Sequence, residues 1–260
     1  MAGATALEGL LQRDRRLVVY GLAATAAMAW AYQLYMSWGM AHPSPAMAAL
    51  MPDMLAWRGR DLFLLFAMWF VMMVAMMVPS AAPTLLAFAR IRRTRQERQG
   101  PFVPTGVFLG GYLAAWAAFS LAATVAQWGL HTATLVSSAM VLESPLLAGA
   151  LLVATGAFQW TPFKDACLSR CRSPLGFVLS SWRDGLGGAF RMGLLQGAYC
   201  VGCCALLMAL LFVNGVMNMW WMLVLTAFVL LEKIAPHPVW ARRAAGVLLC
   251  GWGVWLLAAR

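Results

Sequence analysis

The chain has 260 residues, of which 63% are hydrophobic and 11% charged, and its formal net charge is +10. So much apolar surface exceeds what a soluble domain of this length can bury, which excludes that class and predicts a polytopic membrane protein. The charge does not point to nucleic acid, because the basic residues are split among short loops, where anionic membrane lipid is the partner they fit.

Mostly apolar windows long enough to cross hydrocarbon as a helix, about 17–25 residues, fall near 17–37, 61–88, 105–128, 146–161, 187–213, 217–231 and 240–258. They predict an all-α fold: a polytopic transmembrane helix bundle of about seven spans. No Ser/Gly linker, low-complexity segment or internal repeat divides the sequence, so residues 1–260 read as one integral membrane domain. Lys and Arg collect in cytoplasmic loops near helix ends. Arg13, Arg15, Arg16, Arg90, Arg92, Arg93, Arg95, Arg98, Lys164, Arg170, Arg172, Arg183, Arg191, Lys233, Arg242 and Arg243 fall on one side of these spans, against Arg58, Arg60 and Arg260 on the other. This bias predicts a cytoplasmic N-terminus and an outside C-terminus.

The first apolar stretch follows basic residues and contains Ala24, Ala26 and Ala27, features shared with a signal peptide. It continues past Trp30 to Met36, longer than such a segment needs, and is read as a retained anchor. In the loop that follows, Met40, His42 and Met47 stand with Met36, Met51, Met54 and Asp53 in a Pro-broken stretch on the outer side. Neutral thioethers bind Cu(I) weakly and exchange it readily, so this loop reads as an entry point for the ion. An amphipathic segment whose methionines dip into lipid fits the same residues.

The second helix contains MWFVMMVAMM, residues 68–77. At about 100° per residue, Met68, Met72 and Met76 form a stripe continued by Pro79 and Pro83. Pro79 cannot donate to the carbonyl of Ala75, nor Pro83 to that of Pro79. A kinked helix with free carbonyls beside its thioethers is expected, which is a plausible ion path. The alternative is methionine as flexible apolar filler. After the fourth helix, Gln159 to Cys171 read as a helix end, a proline restart and a short cytoplasmic turn that places Cys167 and Cys171 at i and i+4. Lys164, Arg170 and Arg172 around them favour the metal-binding thiolate; an ordinary basic interfacial loop is the competing reading.

The fifth helix carries the sharpest pattern. Gly193, Gln196, Gly197, Cys200 and Cys204 share one face, with Cys203 slightly to one side, so three sulfurs fall within about one turn. Thiolates and thioethers are the soft ligands that select Cu(I), although a buried cysteine also serves as a small hydrophobe. Gly106–Gly110 and Gly193–Gly197 are small-xxx-small pairs, suited to packing within the chain or between copies in a homo-oligomer. Beyond them, Glu232 beside Lys233 at a helix end reads as an interfacial ion pair, and Cys250 as packing. His131 and His237 lie at opposite faces, which argues against a histidine-based zinc centre. No catalytic constellation emerges, and no structural disulfide is expected.

MMVAMMVPSAAP, GAFQWTPFKDACLSRCRSPLGF and GAYCVGCCALLMALLFVNGVMNMWWM followed by LLEK resemble an uncharacterised bacterial family labelled predicted metal-binding integral membrane protein, over roughly residues 60–260. The resemblance implies a multi-pass protein of the bacterial cytoplasmic (inner) membrane and draws attention to Met72, Met76, Cys167, Cys171, Cys200, Cys203 and Cys204. It supplies no mechanism.

The residues together suggest a ladder for Cu(I). Met40, His42 and Met47 would collect the ion, Met68, Met72 and Met76 conduct it, Cys200, Cys203 and Cys204 hold it near the midplane, and Cys167 and Cys171 receive it on the inner side. Copper transport or delivery is the function expected, with a metallochaperone or cuproenzyme as partner and no nucleotide-binding P-loop to drive it. Two other classes fit the same sulfurs: a membrane thiol-disulfide oxidoreductase, and a metal-dependent redox enzyme acting on a lipid-soluble substrate.

Overall fold

A computed structural model describes residues 2–42, 57–94, 102–137, 140–235 and 239–259, and among these the chain is helical apart from short connections and one isolated antiparallel bridge, Val136 to Leu142. Helix α1 spans Ala2–Ala41, α2 Gly59–Thr94, α3 Phe102–Thr132, α4 Pro145–Phe158 and α5 Pro162–Arg172. The short helix α6, Pro174–Ser180, leads into α7, Gly185–Ala209; α8, Leu211–Asn214, α9, Met219–Ile234, and α10, Val239–Ala258, complete the chain.

Local chemistry sets several of these starts. Ser144 caps α4, its hydroxyl accepting from the Leu147 N–H, and Thr161 does the same for α5 with the Lys164 N–H; each cap is followed by a proline, whose missing donor costs nothing in a first turn. Asn218 Oδ1 caps α9 through the Trp221 N–H at 3.1 Å.

Four segments are long and apolar enough to cross a membrane: Arg16–Met40, Gly59–Arg93, Pro104–Thr132 and Gly185–Asn214. Helices α4 and α5 form a pair bent by 65°, which makes a fifth if the two are one broken span. The other two expected spans exist as helices outside this set. Helix α9 is 16 residues long, shorter than hydrocarbon requires for an untilted helix, and α10 carries Arg242 and Arg243 in its first turns.

Helix α3 lies along α7, α10 along α4, and α1 along α2, which also packs on α3. Small residues permit the first two contacts. A Cβ on Gly193 would come within 1.9 Å of the Phe108 carbonyl oxygen, and one on Gly197 within 2.6 Å of the Ala115 Cβ. Between α4 and α10, a Cβ on Gly156 would meet Cys250 Sγ at 2.5 Å, so Cys250 is a packing residue as expected. The pair Gly193–Gly197 therefore serves a contact inside the chain. Gly106 and Gly110 meet nothing within 4 Å and lie exposed on α3.

Helix α2 runs unbroken through Pro79 and Pro83. The carbonyl freed at Ala75 does not line a path; it accepts from the Trp30 indole N–H of α1 at 3.0 Å. An unsatisfied carbonyl in an apolar interior is costly, so a donor from the neighbouring helix takes the place of the missing proline N–H. Gln33 donates to the Met68 carbonyl at 3.5 Å, so α1 and α2 run antiparallel, and Met40 lies toward the Gly59 end of α2.

Candidate functional site

The site forms where α7, α5, α9, α3 and α2 meet. Cys200, Cys203 and Cys204 are fully or almost fully buried, and Cys171 and Cys167 of α5 are also in the interior. Cys200 stands midway along Gly185–Asn214. The sulfurs of Cys203 and Cys204 are 3.2 Å apart, and the Cys203 thiol donates to the Cys200 carbonyl at 3.2 Å, the usual back-bond of a small polar group to its own helix. Across the helix boundary, the Cys171 thiol lies close enough to Cys200 and Cys203 to interact with both. Four thiols from two helices thus make one cluster.

That arrangement corrects the expected position of Cys171. It belongs not to a short turn but to an 11-residue helix folded back into the bundle, because the bend at residues 159–161 turns α5 against α7. Cys167, one turn earlier on α5, packs on the bare backbone of Gly202, where a Cβ would lie 2.9 Å from its sulfur. Its neighbour is therefore a different side of α7 from the one that carries Cys200 and Cys204.

The cations are also distributed differently from expectation. Lys164 does not attend the α5 cysteines: it is completely buried, with its ammonium 2.7 Å from Glu232 Oε1, hydrogen-bonded to Gln159 Oε1 and 5.9 Å from the centre of the Phe228 ring. Arg172 donates to the Ala235 carbonyl at 2.7 Å, and Asp165 pairs with Arg242. Glu232 and Lys233 are not an interfacial pair. Consecutive residues on a helix point about 100° apart, and here Glu232 faces α5 while Lys233 faces α7 and α2.

Lys233 is the residue that the sequence reading left out of the site. Its ammonium donates to Cys200 Sγ at 2.9 Å and to Ser80 Oγ at 2.8 Å. Tyr112 completes the surroundings, its hydroxyl 3.1 Å from Cys200 Sγ and 3.2 Å from the Met77 carbonyl, to which Ser80 also donates. A lysine at the end of an apolar helix, in the LLEK run, was the available signal, since an ionisable residue among apolar helices is costly to keep without a partner.

Met68, Met72 and Met76 are buried, but so are Trp69, Met73, Ala75, Met77 and Val78. The stripe is not set apart from the rest of α2; the helix is enclosed on all sides from Met72 to Val78, as core packing requires, and α2 reaches the cluster through the Met77 carbonyl and Ser80. At the far end, Met40 is exposed, and His42 stacks on Trp38 with ring centroids 4.8 Å apart while its Nδ1–H donates to the Trp38 carbonyl at 3.2 Å. Met47, Met51, Asp53, Met54 and His237 lie outside the described residues.

Chemically, the cluster is soft, buried and compact. Among the described residues, no group of three or more His, Cys, Asp or Glu is disposed to hold a metal ion; the sulfurs engage one another and Lys233 instead of surrounding a common centre. Comparison with curated proteins gives no match, and comparison with solved structures gives none. A family model described as a copper chaperone, PpoB2, matches residues 66–256, which include every cysteine, Lys233 and the methionines of α2. With well over half of its length matched, the chain belongs to the PpoB2 copper-chaperone family.

Proposed function

We propose that this protein binds Cu(I) at the thiols of Cys171, Cys200, Cys203 and Cys204 and delivers it to a partner. The observation that carries the reading is the convergence of four buried cysteines from two helices at the middle of an apolar bundle, in a chain whose family is described as copper chaperones. Soft thiolates select Cu(I), and the ion takes two sulfurs readily, so a bridge from Cys171 on α5 to Cys200 or Cys203 on α7 needs no third ligand. Such a site would couple the position of α5 to occupancy.

The wider setting belongs to the same proposal. The protein is a multi-pass component of the bacterial cytoplasmic membrane, with α9 and α10 completing about seven spans, an inside N-terminus and an outside C-terminus. Met40 and His42, at the outer end of α1 and α2, collect the ion together with Met47; Met68, Met72 and Met76 lie on its way to the cluster, and Cys167 stands beside the exit. A metallochaperone or cuproenzyme exchanges the ion, with anionic lipid around the basic loops.

Elemental analysis of the purified full-length protein, supplied with Cu(I) under reducing conditions, tests the reading. Near-stoichiometric copper in the wild type, absent from a C200S/C203S/C204S variant, is the expected result; a folded wild type that retains none refutes it. The contact of Cys171 with Cys200 and Cys203 supports a second reading, a thiol-disulfide oxidoreductase, whose signature is loss of two free thiols on oxidation with no retained metal.

A further inference from the structure

We infer that Lys233 makes the cysteine site selective for a singly charged soft ion over a doubly charged one. This rests on the reading that the cluster binds metal, and it concerns a residue that does not ligate. The Lys233 ammonium sits 2.9 Å from Cys200 Sγ, held from its other side by Ser80 Oγ at 2.8 Å. The titratable groups within reach of its charge include Cys200, Cys203, Cys204, Tyr112, Cys171 and, on its other side, the Glu232 that Lys164 holds. Both nearby cations with carboxylate partners are occupied elsewhere: Lys164 holds Glu232, and Arg242 holds Asp165. Among the described residues, the cation in direct contact with the cluster is Lys233.

An ion bound to Cys200 would lie within about 5 Å of that ammonium, given a metal–sulfur bond of about 2.3 Å. Repulsion from the ammonium scales with the charge of the ion. For the same sulfur ligands, a divalent ion meets twice the repulsion that a monovalent ion meets, whereas the benefit Lys233 gives to the thiolates is common to both. Counting charges leads to the same preference. Two thiolates with a monovalent ion carry −1 and are neutral beside Lys233; with a divalent ion they are neutral alone and leave the ammonium uncompensated, which a buried site resists. At a separation of about 5 Å and an effective dielectric of about 20, the difference amounts to a selectivity factor on the order of a hundredfold.

The test uses two soft ions that differ in charge, Ag(I) and Cd(II), competing for the full-length protein in detergent, with bound metal read by elemental analysis. Wild type and Lys233→Arg, which keep the charge, are expected to favour Ag(I). Lys233→Met and Lys233→Gln are expected to move the Ag(I):Cd(II) occupancy ratio toward Cd(II) by about a hundredfold. Running both neutral variants means that a packing failure in one leaves the other to decide. An unchanged ratio in a neutral variant that still binds Ag(I) through its cysteines overturns the role of Lys233 alone. Loss of both ions from the wild type, or retention undiminished by C200S/C203S/C204S, overturns the metal site itself.

Discussion

Replacing Lys164 by Met isolates the energetics of the interior beside the cysteine cluster. The ammonium and Glu232 Oε1 are 2.7 Å apart, with side chains 0% and 1% exposed, so solvent screens neither charge. Removing one partner of a buried pair leaves the other uncompensated, a loss of about 3–5 kcal/mol; the contact with the Phe228 face adds to it. For a chain of this size the shift corresponds to a fall in Tm of about 10 °C, at roughly 2–4 °C per kcal/mol. Replacing both partners, Lys164→Met with Glu232→Leu, removes the stranded charge and is expected to recover most of the loss, because an apolar pair of similar volume commonly matches a buried ion pair. Thermal unfolding in detergent, followed by tryptophan fluorescence, measures both. A single variant within about 2 °C of wild type, or a double variant as unstable as the single, refutes the account.

Four other outcomes follow from the packing of the bundle. Gly193→Ala forces α3 from α7, because its Cβ would collide with the Phe108 carbonyl, and a loss of about 1–3 kcal/mol is expected in thermal unfolding. Gly110→Ala, whose Cβ meets nothing within 4 Å, is expected to raise stability by about 0.5–1 kcal/mol through backbone entropy; equal effects at the two glycines would contradict the packing. Trp30→Phe removes the donor that serves the Ala75 carbonyl at 3.0 Å and is expected to cost about 1–3 kcal/mol. Restoring a backbone donor with Pro79→Ala in the Trp30→Phe background should recover part of that loss, and no recovery would sever the link between proline and tryptophan. Cys250→Ala, remote from the cluster and packed on Gly156, is expected to leave copper content unchanged in the elemental assay.

The helical period made part of the site legible in the sequence. Cys200, Cys203 and Cys204 fall on the face that carries Gly193, Gln196 and Gly197 because 100° per residue places them there wherever α7 packs. The same arithmetic revealed that Pro79 frees the Ala75 carbonyl, but not which donor answers it. Trp30 is 45 residues away, and its register against α2 is a property of the packed pair.

Composition and hydropathy by themselves determined that the chain is helical and apolar, because a backbone in a medium without water must satisfy its hydrogen bonds inside each helix. Motif spacing determined which sulfurs share a turn. Only the tertiary structure decided that α5 folds back to bring Cys171 to Cys200, that Glu232 turns to Lys164, and that Lys233 turns to Cys200 and Ser80. The physical reason is burial. A charge at the end of a span is inexpensive at an interface and costly inside the bundle, so its partner is settled by which helices enclose it, a long-range relation that local spacing does not encode.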